Sequence, residues 1–402
     1  SSPAAGQVLD SAGWIAGGPA VATRRPLWQR KIDRLVHGRN IGVMVSSRGK
    51  AVYRKEAGRR RVPASNQKLL LSMALLDRLG AGERIPTGVW ARAPKRGAVR
   101  GNLWIVGRGD PSLAGGERYA RSLPFRAARL GALARRIKNR EIRRIKGRVV
   151  GATGYFKRDW FAPGWKKFFP WLEVALPTAL TFNGNIARRK HTRRPEREAA
   201  RSLTRKLERI GVSVRRSARM GPRPARRHKI ASIRARPLGE IMRYMNRKSN
   251  NFFAEVLGKR LGVERSGPPG TIAKGARAIR SLAARRGVRI VSKDSSGLSY
   301  ANRVSPRGIT KMLEWARRQP WGRRLRKMLP TGGQGTLEDR LGGAPVRAKT
   351  GTLDGISALS GYVWLSREGA TAEFSILSRG LPKYKAVTIE NRIVKILVRN
   401  AR

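Results

Sequence analysis

This sequence of 402 residues contains no cysteine, only three histidines, and no apolar run of the ~20 residues that a membrane-spanning helix needs. The absence of cysteine excludes disulfide bonds and any C-x-x-C metal or redox site. His37, His191 and His228 lie far apart among basic neighbours, which argues against a zinc site and against a Ser-His-Asp triad. We therefore expect no cofactor, no metal and no transmembrane segment.

Acidic residues are also scarce. The chain has 24 Asp and Glu against 89 Lys and Arg, which gives a formal net charge of +65, and the basic residues are dispersed over nearly the whole sequence. Such a surface repels itself and attracts polyanions. Two interpretations stay open, namely adaptation to unusual ionic conditions and binding to anionic wall polymers, lipid head groups or nucleic acid. Specific base recognition is not expected, because the arginine clusters lack interleaved aromatic residues.

Three short motifs carry the chemistry of this chain. Together they supply a nucleophilic hydroxyl, two ammonium groups, a second hydroxyl and an amide, which are the groups needed for acyl transfer through a serine ester. The motifs are Ser65-Asn66-Gln67-Lys68, Ser249-Asn250-Asn251 and Lys349-Thr350-Gly351.

The first motif opens a run of helix-forming residues that ends at Gly80. Positions three apart share one face of a helix, so Lys68 should face the hydroxyl of Ser65, and burial of this apolar helix should lower the lysine pKa. Taken alone, the same motif is also typical of a helix N-cap followed by a solvated lysine. A second S-x-x-K copy, from Ser47 to Lys50, lies between alternating apolar runs and predicts a hairpin turn with solvent-exposed side chains.

The other two motifs fall on a turn and on a strand. Apolar helical segments at 241–245 and 252–257 flank Ser249, which predicts a polar connection between two helices. The third motif lies in a predicted strand, 345–353, followed by a tight turn at Asp354-Gly355 and a second strand, 356–365. A glycine inside a strand often marks the close approach of another backbone, which we interpret at Gly351 as that of a substrate.

Further segments around these motifs resemble the penicillin-recognising serine peptidases. The resemblance is to the D-alanyl-D-alanine carboxypeptidase/endopeptidase family of the penicillin-binding protein 4 type, and it runs from about Ile41 to Leu397. The segments that carry it are 62–69, 103–113, 162–165, 180–185, 294–299, 302–306, 335–337 and 346–353.

The resemblance implies four catalytic residues. Ser65 would attack the carbonyl between the last two D-alanines of a peptide, and Lys68 would be the base for acylation. Ser249 would relay a proton toward the leaving amine. Lys349 would anchor the terminal carboxylate and keep the site positive.

The resemblance also implies substrate contacts. Asn251 would hold the peptide backbone of the substrate, and Thr350, Gly351 and Thr352 would line the strand along which it lies. The oxyanion hole would consist of the backbone N–H groups of Ser65 and Thr352. Each such donor typically contributes ~2.7–4 kcal/mol to transition-state stabilisation.

The fold implied is an α/β (α+β) serine β-lactamase/transpeptidase-like core, an antiparallel sheet flanked by helices, with an inserted smaller domain. Ser65 and Ser249 are 184 positions apart, more than this core needs. We therefore predict that residues 1–84 and 231–402 form the core and that 85–230 form the insertion. The nested third domain of many members should be missing or vestigial after residue 185, and 388–397 should form a helix that packs on the core.

Ala152 marks a departure from the family pattern. Members that recognise meso-diaminopimelate carry an aspartate in the segment that corresponds to 149–156, and Ala152 occupies that position. Loss of the carboxylate removes a charge-assisted contact worth about 1.5–3 kcal/mol. We therefore expect a changed preference for the substrate side chain.

These expectations describe a serine D-Ala-D-Ala carboxypeptidase or endopeptidase of peptidoglycan peptides, with an acyl-enzyme mechanism and covalent inhibition by β-lactams. Two alternatives stay open, namely a serine β-lactamase or esterase on the same fold, and a polyanion-binding envelope protein with low turnover. The resemblance implies that residues 1–6 are a mature N-terminus left after signal removal, and hence a periplasmic or extracellular location.

Overall fold

The computed structural model describes residues 25–187, 189–225 and 227–400, so the predicted mature N-terminus at 1–6 lies outside the described residues. The strands are β1 (Ile41–Ser47), β2 (Lys50–Lys55), β3 (Pro86–Ala91), β4 (Ala98–Val99), β5 (Leu103–Gly107), β6 (Arg144–Ile145), β7 (Val149–Thr153), β8 (Ile186–Ala187), β9 (Lys190–His191), β10 (Ser213–Val214), β11 (Arg219–Pro222), β12 (His228–Arg234), β13 (Val346–Leu353), β14 (Ile356–Leu365) and β15 (Ala370–Arg379). The helices are α1 (Leu27–Val36), α2 (Gln67–Leu79), α3 (Glu117–Ser122), α4 (Leu130–Lys138), α5 (Phe169–Leu172), α6 (Pro195–Glu208), α7 (Leu238–Lys248), α8 (Asn251–Ser266), α9 (Ile272–Arg285), α10 (Pro306–Arg317), α11 (Gly322–Met328) and α12 (Lys383–Asn400).

The core sheet has five antiparallel strands in the order β13-β14-β15-β1-β2. Its central strands are buried on both faces, because α1 and α12 cover one face and α10 packs on the other. The predicted C-terminal helix is present as α12, and Ile389, Ile393 and Leu397 are its buried contacts. An antiparallel sheet flanked by helices is the fold class that the sequence predicted.

Helix α2 lies among α7, α8, α9, α10 and α11, so it is buried on nearly all sides. This explains the apolar sequence between Lys68 and Asp77, because no face of this part of the helix is available for charged residues. Gly80 ends the helix with a φ of 75°, a conformation that glycine adopts readily. A short 3₁₀ turn, Ala64–Asn66, precedes α2 and packs against β13.

Residues 86–234 contain two further main sheets. Five strands pair in the order β11-β7-β5-β3-β12, and β10-β6-β4 form a smaller sheet. Helices α4 and α6 cover these sheets with an apolar core of their own, which includes Val89, Ile105, Leu133 and Leu203. From residue 185 the chain reaches α6 through the pair β8–β9, in the place where a nested domain would begin.

The second S-x-x-K copy forms the predicted hairpin, but the expectation that its side chains are solvent-exposed is wrong for Ser47. That serine is buried, and its hydroxyl donates a 2.6 Å hydrogen bond to Oε1 of Glu368. The turn joining β14 to β15 brings this carboxylate to the end of β1, a long-range contact that the local pattern does not reveal. Lys50 is exposed, so this copy lacks a lysine directed at its serine.

Candidate active site

Ser65 and Lys68 meet at the start of α2. The 3₁₀ turn places the Ser65 side chain at the N-terminal end of α2, and Lys68 follows in the first turn of this helix. Nζ of Lys68 lies 3.0 Å from Oγ of Ser65, as the three-residue spacing predicted. Lys68 is fully buried, so the alternative interpretation of a solvated lysine does not hold.

Lys68 is held by three oxygen atoms. In addition to Ser65, its Nζ contacts Oδ1 of Asn251 at 2.8 Å and the carbonyl oxygen of Ser296 at 2.6 Å. Burial lowers the pKa of Lys68 to about 7, and nearby carboxylates offset part of this effect. A neutral amine can donate to the two oxygens that only accept and still accept a proton from the Ser65 hydroxyl. The geometry therefore suits Lys68 to deprotonate Ser65.

Ser249 faces the second lysine. It joins α7 to α8 in the left-handed conformation with a φ of 53°, and Asn250 caps α8 by accepting a hydrogen bond from the backbone N–H of Phe253. Nζ of Lys349 donates to Oγ of Ser249 at 2.8 Å and to the carbonyl oxygen of Thr350 at 2.8 Å. Burial, together with the charge of Lys68, lowers the pKa of Lys349.

Strand β13 packs directly behind the nucleophile. A Cβ added at Gly351 would lie 2.9 Å from the carbonyl oxygen of Pro63 and 3.1 Å from Cβ of Ala64. The close approach predicted at Gly351 therefore exists, and the chain's own backbone makes it; contact of Gly351 with a substrate stays a prediction. Asn66 adds a hydrogen bond of 3.0 Å from Nδ2 to the carbonyl oxygen of Lys349.

These groups border one open cleft of about 760 Å³. Of the eight predicted site residues, Ser65, Ser249, Asn251, Thr350 and Thr352 line the cleft. Lys68, Lys349 and Gly351 lie behind this lining, in contact with it. The structure thus brings together all three motifs from distant parts of the sequence.

Comparison with known protein families identifies the family of this chain. The sequence profile of the D-Ala-D-Ala carboxypeptidase 3 (S13) family matches residues 29–186 and 175–400. The chain belongs to this family. Membership confirms the predicted family resemblance and the predicted enzyme class, a serine-type D-Ala-D-Ala carboxypeptidase of the penicillin-binding type.

Relatives of the S13 family cover most of the chain. A D-alanyl-D-alanine carboxypeptidase of an Actinomadura species is 28% identical over 445 residues, covering 87% of this chain and 79% of the relative. The carboxypeptidase DacB of Mycolicibacterium smegmatis is 30% identical over 341 residues, covering 79% of this chain and 71% of the relative. The crystal structure of penicillin binding protein 4 from Haemophilus influenzae has a TM-score of 0.78 at 20% identity, covering 92% of this chain and 99% of that one, which confirms the fold.

Sequence reasoning missed how the site is supported. Asp294, fully buried, organises the loop whose Ser296 carbonyl contacts Lys68. In the sequence, this aspartate appeared only as part of a family segment. Its carboxylate accepts hydrogen bonds from the backbone N–H groups of Gly297 and Ser299, from Nδ2 of Asn302 and from Nε1 of Trp165.

Glu255 is a second buried carboxylate in this support. Its Oε1 accepts the backbone N–H groups of Ser295 and Ser296 at 3.0 and 2.7 Å. Burial and the neighbouring Asp294 raise the pKa of Glu255 to about 7. A glutamate within the otherwise apolar run 252–257 of α8 was the available signal, because charged residues are rarely fully buried without partners.

Other cleft residues also escaped prediction. Thr336 accepts a hydrogen bond of 2.7 Å from the hydroxyl of Thr350, and the carbonyl of Glu173 accepts one of 3.3 Å from Nδ2 of Asn251. Both residues line the cleft. Ala152 does not belong to this lining; it lies in β7, 7% exposed, opposite Gly221 of β11. Its influence on side-chain preference stays a prediction.

Within the described ranges, His, Asp and Glu form no group that could hold a metal ion. No helix in the same part of the chain has the length and apolar character that crossing a membrane requires.

Proposed function

We propose that this enzyme cleaves the bond between the last two D-alanines of peptidoglycan peptides through an acyl-enzyme on Ser65. The observation that carries the proposal is the position of Lys68, which is fully buried and holds its Nζ 3.0 Å from Oγ of Ser65. Such a lysine can be neutral near pH 7, and a neutral amine in contact with a hydroxyl is the base that serine nucleophiles need.

In the first step, Oγ of Ser65 attacks the scissile carbonyl while its proton passes to Nζ of Lys68. The backbone N–H groups of Ser65 and Thr352 would stabilise the resulting oxyanion. The carbon–nitrogen bond then breaks, and the leaving amine takes a proton through Ser249, whose hydroxyl contacts Lys349 at 2.8 Å. Water subsequently hydrolyses the serine ester, releasing the shortened peptide and the free serine.

Substrate binding rests on the cleft strand and on the second lysine. Lys349 would neutralise the terminal carboxylate of the peptide, with the hydroxyls of Thr350 and Thr352 as further donors. Asn251, held between Lys68 and the carbonyl of Glu173, would orient the peptide backbone. A β-lactam offers a carbonyl and a carboxylate in a similar arrangement, so it would acylate the same serine.

The domain division, the cellular location and a second activity complete the proposal. The predicted insertion, 85–230, would contribute one border of the cleft through 166–173, and the predicted core would comprise 1–84 and 231–402. Peptidoglycan lies outside the cytoplasmic membrane, so we place the enzyme in the periplasm or outside the cell. An endopeptidase activity would need only a longer amine-side substrate in the same open cleft.

Fluorescent penicillin tests the function directly. We expect one adduct per chain that persists for the duration of the experiment, as a slowly hydrolysed ester would. Rapid release of hydrolysed penicillin would instead indicate a β-lactamase. Absence of any adduct on the folded protein would remove the proposed function.

The acylation rate should depend on pH through Lys68. Burial lowers its pKa to about 7, so the neutral form needed to accept the Ser65 proton is lost as pH falls below that value. We expect the labelling rate to fall about tenfold per pH unit below 7 and to level off above it. Stopped-flow labelling across this range would measure the profile, with thermal unfolding at each pH as the control for stability. A rate that is constant from acid to neutral pH would contradict the assignment.

The two lysines should fail differently. Lys68→Ala removes the base, so acylation should be suppressed even at saturating substrate, by about 10²–10⁴-fold. Lys349→Ala should chiefly raise KM for substrates with a terminal carboxylate, with a smaller change for the matching peptide amide. Steady-state hydrolysis of both peptides by both variants separates these effects. Equal defects in kcat and KM for the two variants would show that this division is wrong.

A further inference from the structure

Exposed apolar side chains concentrate beside the cleft. Within the described residues, eight large apolar side chains are exposed, and five of them lie between Phe161 and Ile186. Leu172 is 72% exposed, more than any of the others. Single exposed apolar residues are normal on protein surfaces, whereas a cluster of them marks an interaction site.

Four of these residues form one surface, which we name the apolar ridge: Phe168, Trp171, Leu172 and Ile186. The first three lie in or next to α5. Ile186 of β8 pairs with His191 of β9, and Nδ1 of that histidine is 2.8 Å from the carbonyl oxygen of Pro170 within α5. The strand pair therefore holds Ile186 beside the helix.

The ridge rests on packed aromatic rings. The ring of Phe168 packs edge-on against Phe169, with centroids 5.1 Å apart. The ring of Trp171 packs in the same way on Trp160, with centroids 4.8 Å apart. Each of these exposed rings therefore packs against a second aromatic ring, and this packing holds both of them at the surface.

Two cations lie beside aromatic rings of the ridge, in a basic part of the sequence. Residues 157–194 contain nine lysines and arginines against two acids. Nζ of Lys166 lies 5.9 Å from the ring centre of Phe168, and the guanidinium of Arg193 lies 4.8 Å from that of Trp171. An apolar strip bordered by cations is complementary to a surface whose outer layer is negatively charged and whose interior is hydrocarbon.

We propose that the apolar ridge docks this enzyme on the surface of an anionic lipid bilayer. The aromatic rings and Leu172 would enter the head-group region, while the neighbouring lysines and arginines contact lipid phosphates. A sugar-binding surface would combine aromatic rings with amide or carboxylate hydrogen-bonding groups, whereas this ridge adds aliphatic side chains and cations. The proposal goes beyond the proposed function and does not depend on it.

Docking would place the cleft next to the membrane. Phe168 lines both the ridge and the cleft, and Glu173, directly after α5, accepts the hydrogen bond from Asn251. A bilayer seated on the ridge would therefore lie at one border of the site that holds Ser65. Peptides attached to lipid, or close to the membrane surface, would reach the cleft first.

Co-sedimentation with lipid vesicles tests the proposal. The unmodified protein should bind vesicles of phosphatidylcholine with phosphatidylglycerol and bind phosphatidylcholine vesicles much less. Leu172→Ser and Trp171→Ser should each weaken binding to the anionic vesicles by about tenfold, because a large apolar side chain no longer leaves water. The matched control is Trp364→Ser, because Trp364 is 43% exposed and Trp171 is 44% exposed. Thermal unfolding of each variant confirms that it is folded.

Two outcomes would overturn the proposal that the apolar ridge docks on a membrane. If Trp171→Ser and Leu172→Ser bind anionic vesicles as tightly as the Trp364→Ser control, the net charge alone accounts for membrane binding. If the ridge variants instead lose binding to isolated glycan strands while vesicle binding is unchanged, the surface binds sugars. Penicillin labelling is not needed for either result, so failure of the proposed function remains distinguishable.

Discussion

Replacing Ser65 with alanine should abolish labelling by fluorescent penicillin while leaving the fold intact. The hydroxyl is the atom that would form the ester, and of the three oxygen atoms that contact Nζ of Lys68 it alone belongs to a hydroxyl. Lys68 keeps its contacts with Asn251 and with the carbonyl of Ser296, so the helix stays in place without the hydroxyl. Gel fluorescence after incubation with the label, together with the unfolding temperature, measures both effects.

Ser47→Ala is the matched control for this substitution, because Ser47 also begins an S-x-x-K sequence. It should lose about 1 kcal/mol of stability with its hydrogen bond to Glu368, and should label normally. Label retained in Ser65→Ala, or lost in Ser47→Ala, would contradict the assignment of the nucleophile.

Gly297→Ala should slow acylation by about 10²-fold or more without unfolding the protein. Gly297 has a φ of +88°, and a Cβ there would lie 1.9 Å from the carbonyl oxygen of Ala64. Ala64 is itself strained, with a φ of 46°, and directly precedes Ser65. The backbone must therefore shift at the nucleophile, and a displacement of about 1 Å in an active site is enough for this loss. The labelling rate at saturating penicillin measures it.

Gly80→Ala provides the control, because it adds the same methyl group at a similar φ of +75° but has nothing within 4 Å of the new Cβ. It lies at the other end of α2. It should cost about 1–3 kcal/mol of stability from backbone strain and leave the labelling rate unchanged. If both glycine variants slow labelling equally, backbone strain at a positive φ and not contact with Ala64 is responsible.

The local elements of the site were predictable because each depends on short-range patterns. The helix that begins after Ser65 follows from its helix-forming run and from Gly80, and the hairpin of β13 and β14 follows from alternation around Asp354-Gly355. The contact of Lys68 with Ser65 needed only helical geometry. These features involve residues that are near each other in sequence.

Long-range contacts were not predictable in the same way. The neighbours of Gly351 and Ser47 come from segments that the sequence pattern does not pair with them, and the expected exposure of Ser47 was wrong. Asp294 and Glu255, which hold the loop beside Lys68, are likewise far from Ser65 in the sequence. Charged residues in apolar surroundings signal that partners must exist, but only the folded chain identifies them.

Ser65 should carry an acyl group during hydrolysis of a peptide that ends in D-Ala-D-Ala. Acid quenching in the first turnover, followed by mass spectrometry of the proteolysed enzyme and quantification of free D-alanine, tests it most directly. We predict an ester on the peptide that contains Ser65, formed at the same rate as one equivalent of D-alanine. Release of D-alanine without that ester, or no release by the folded enzyme, would contradict the account.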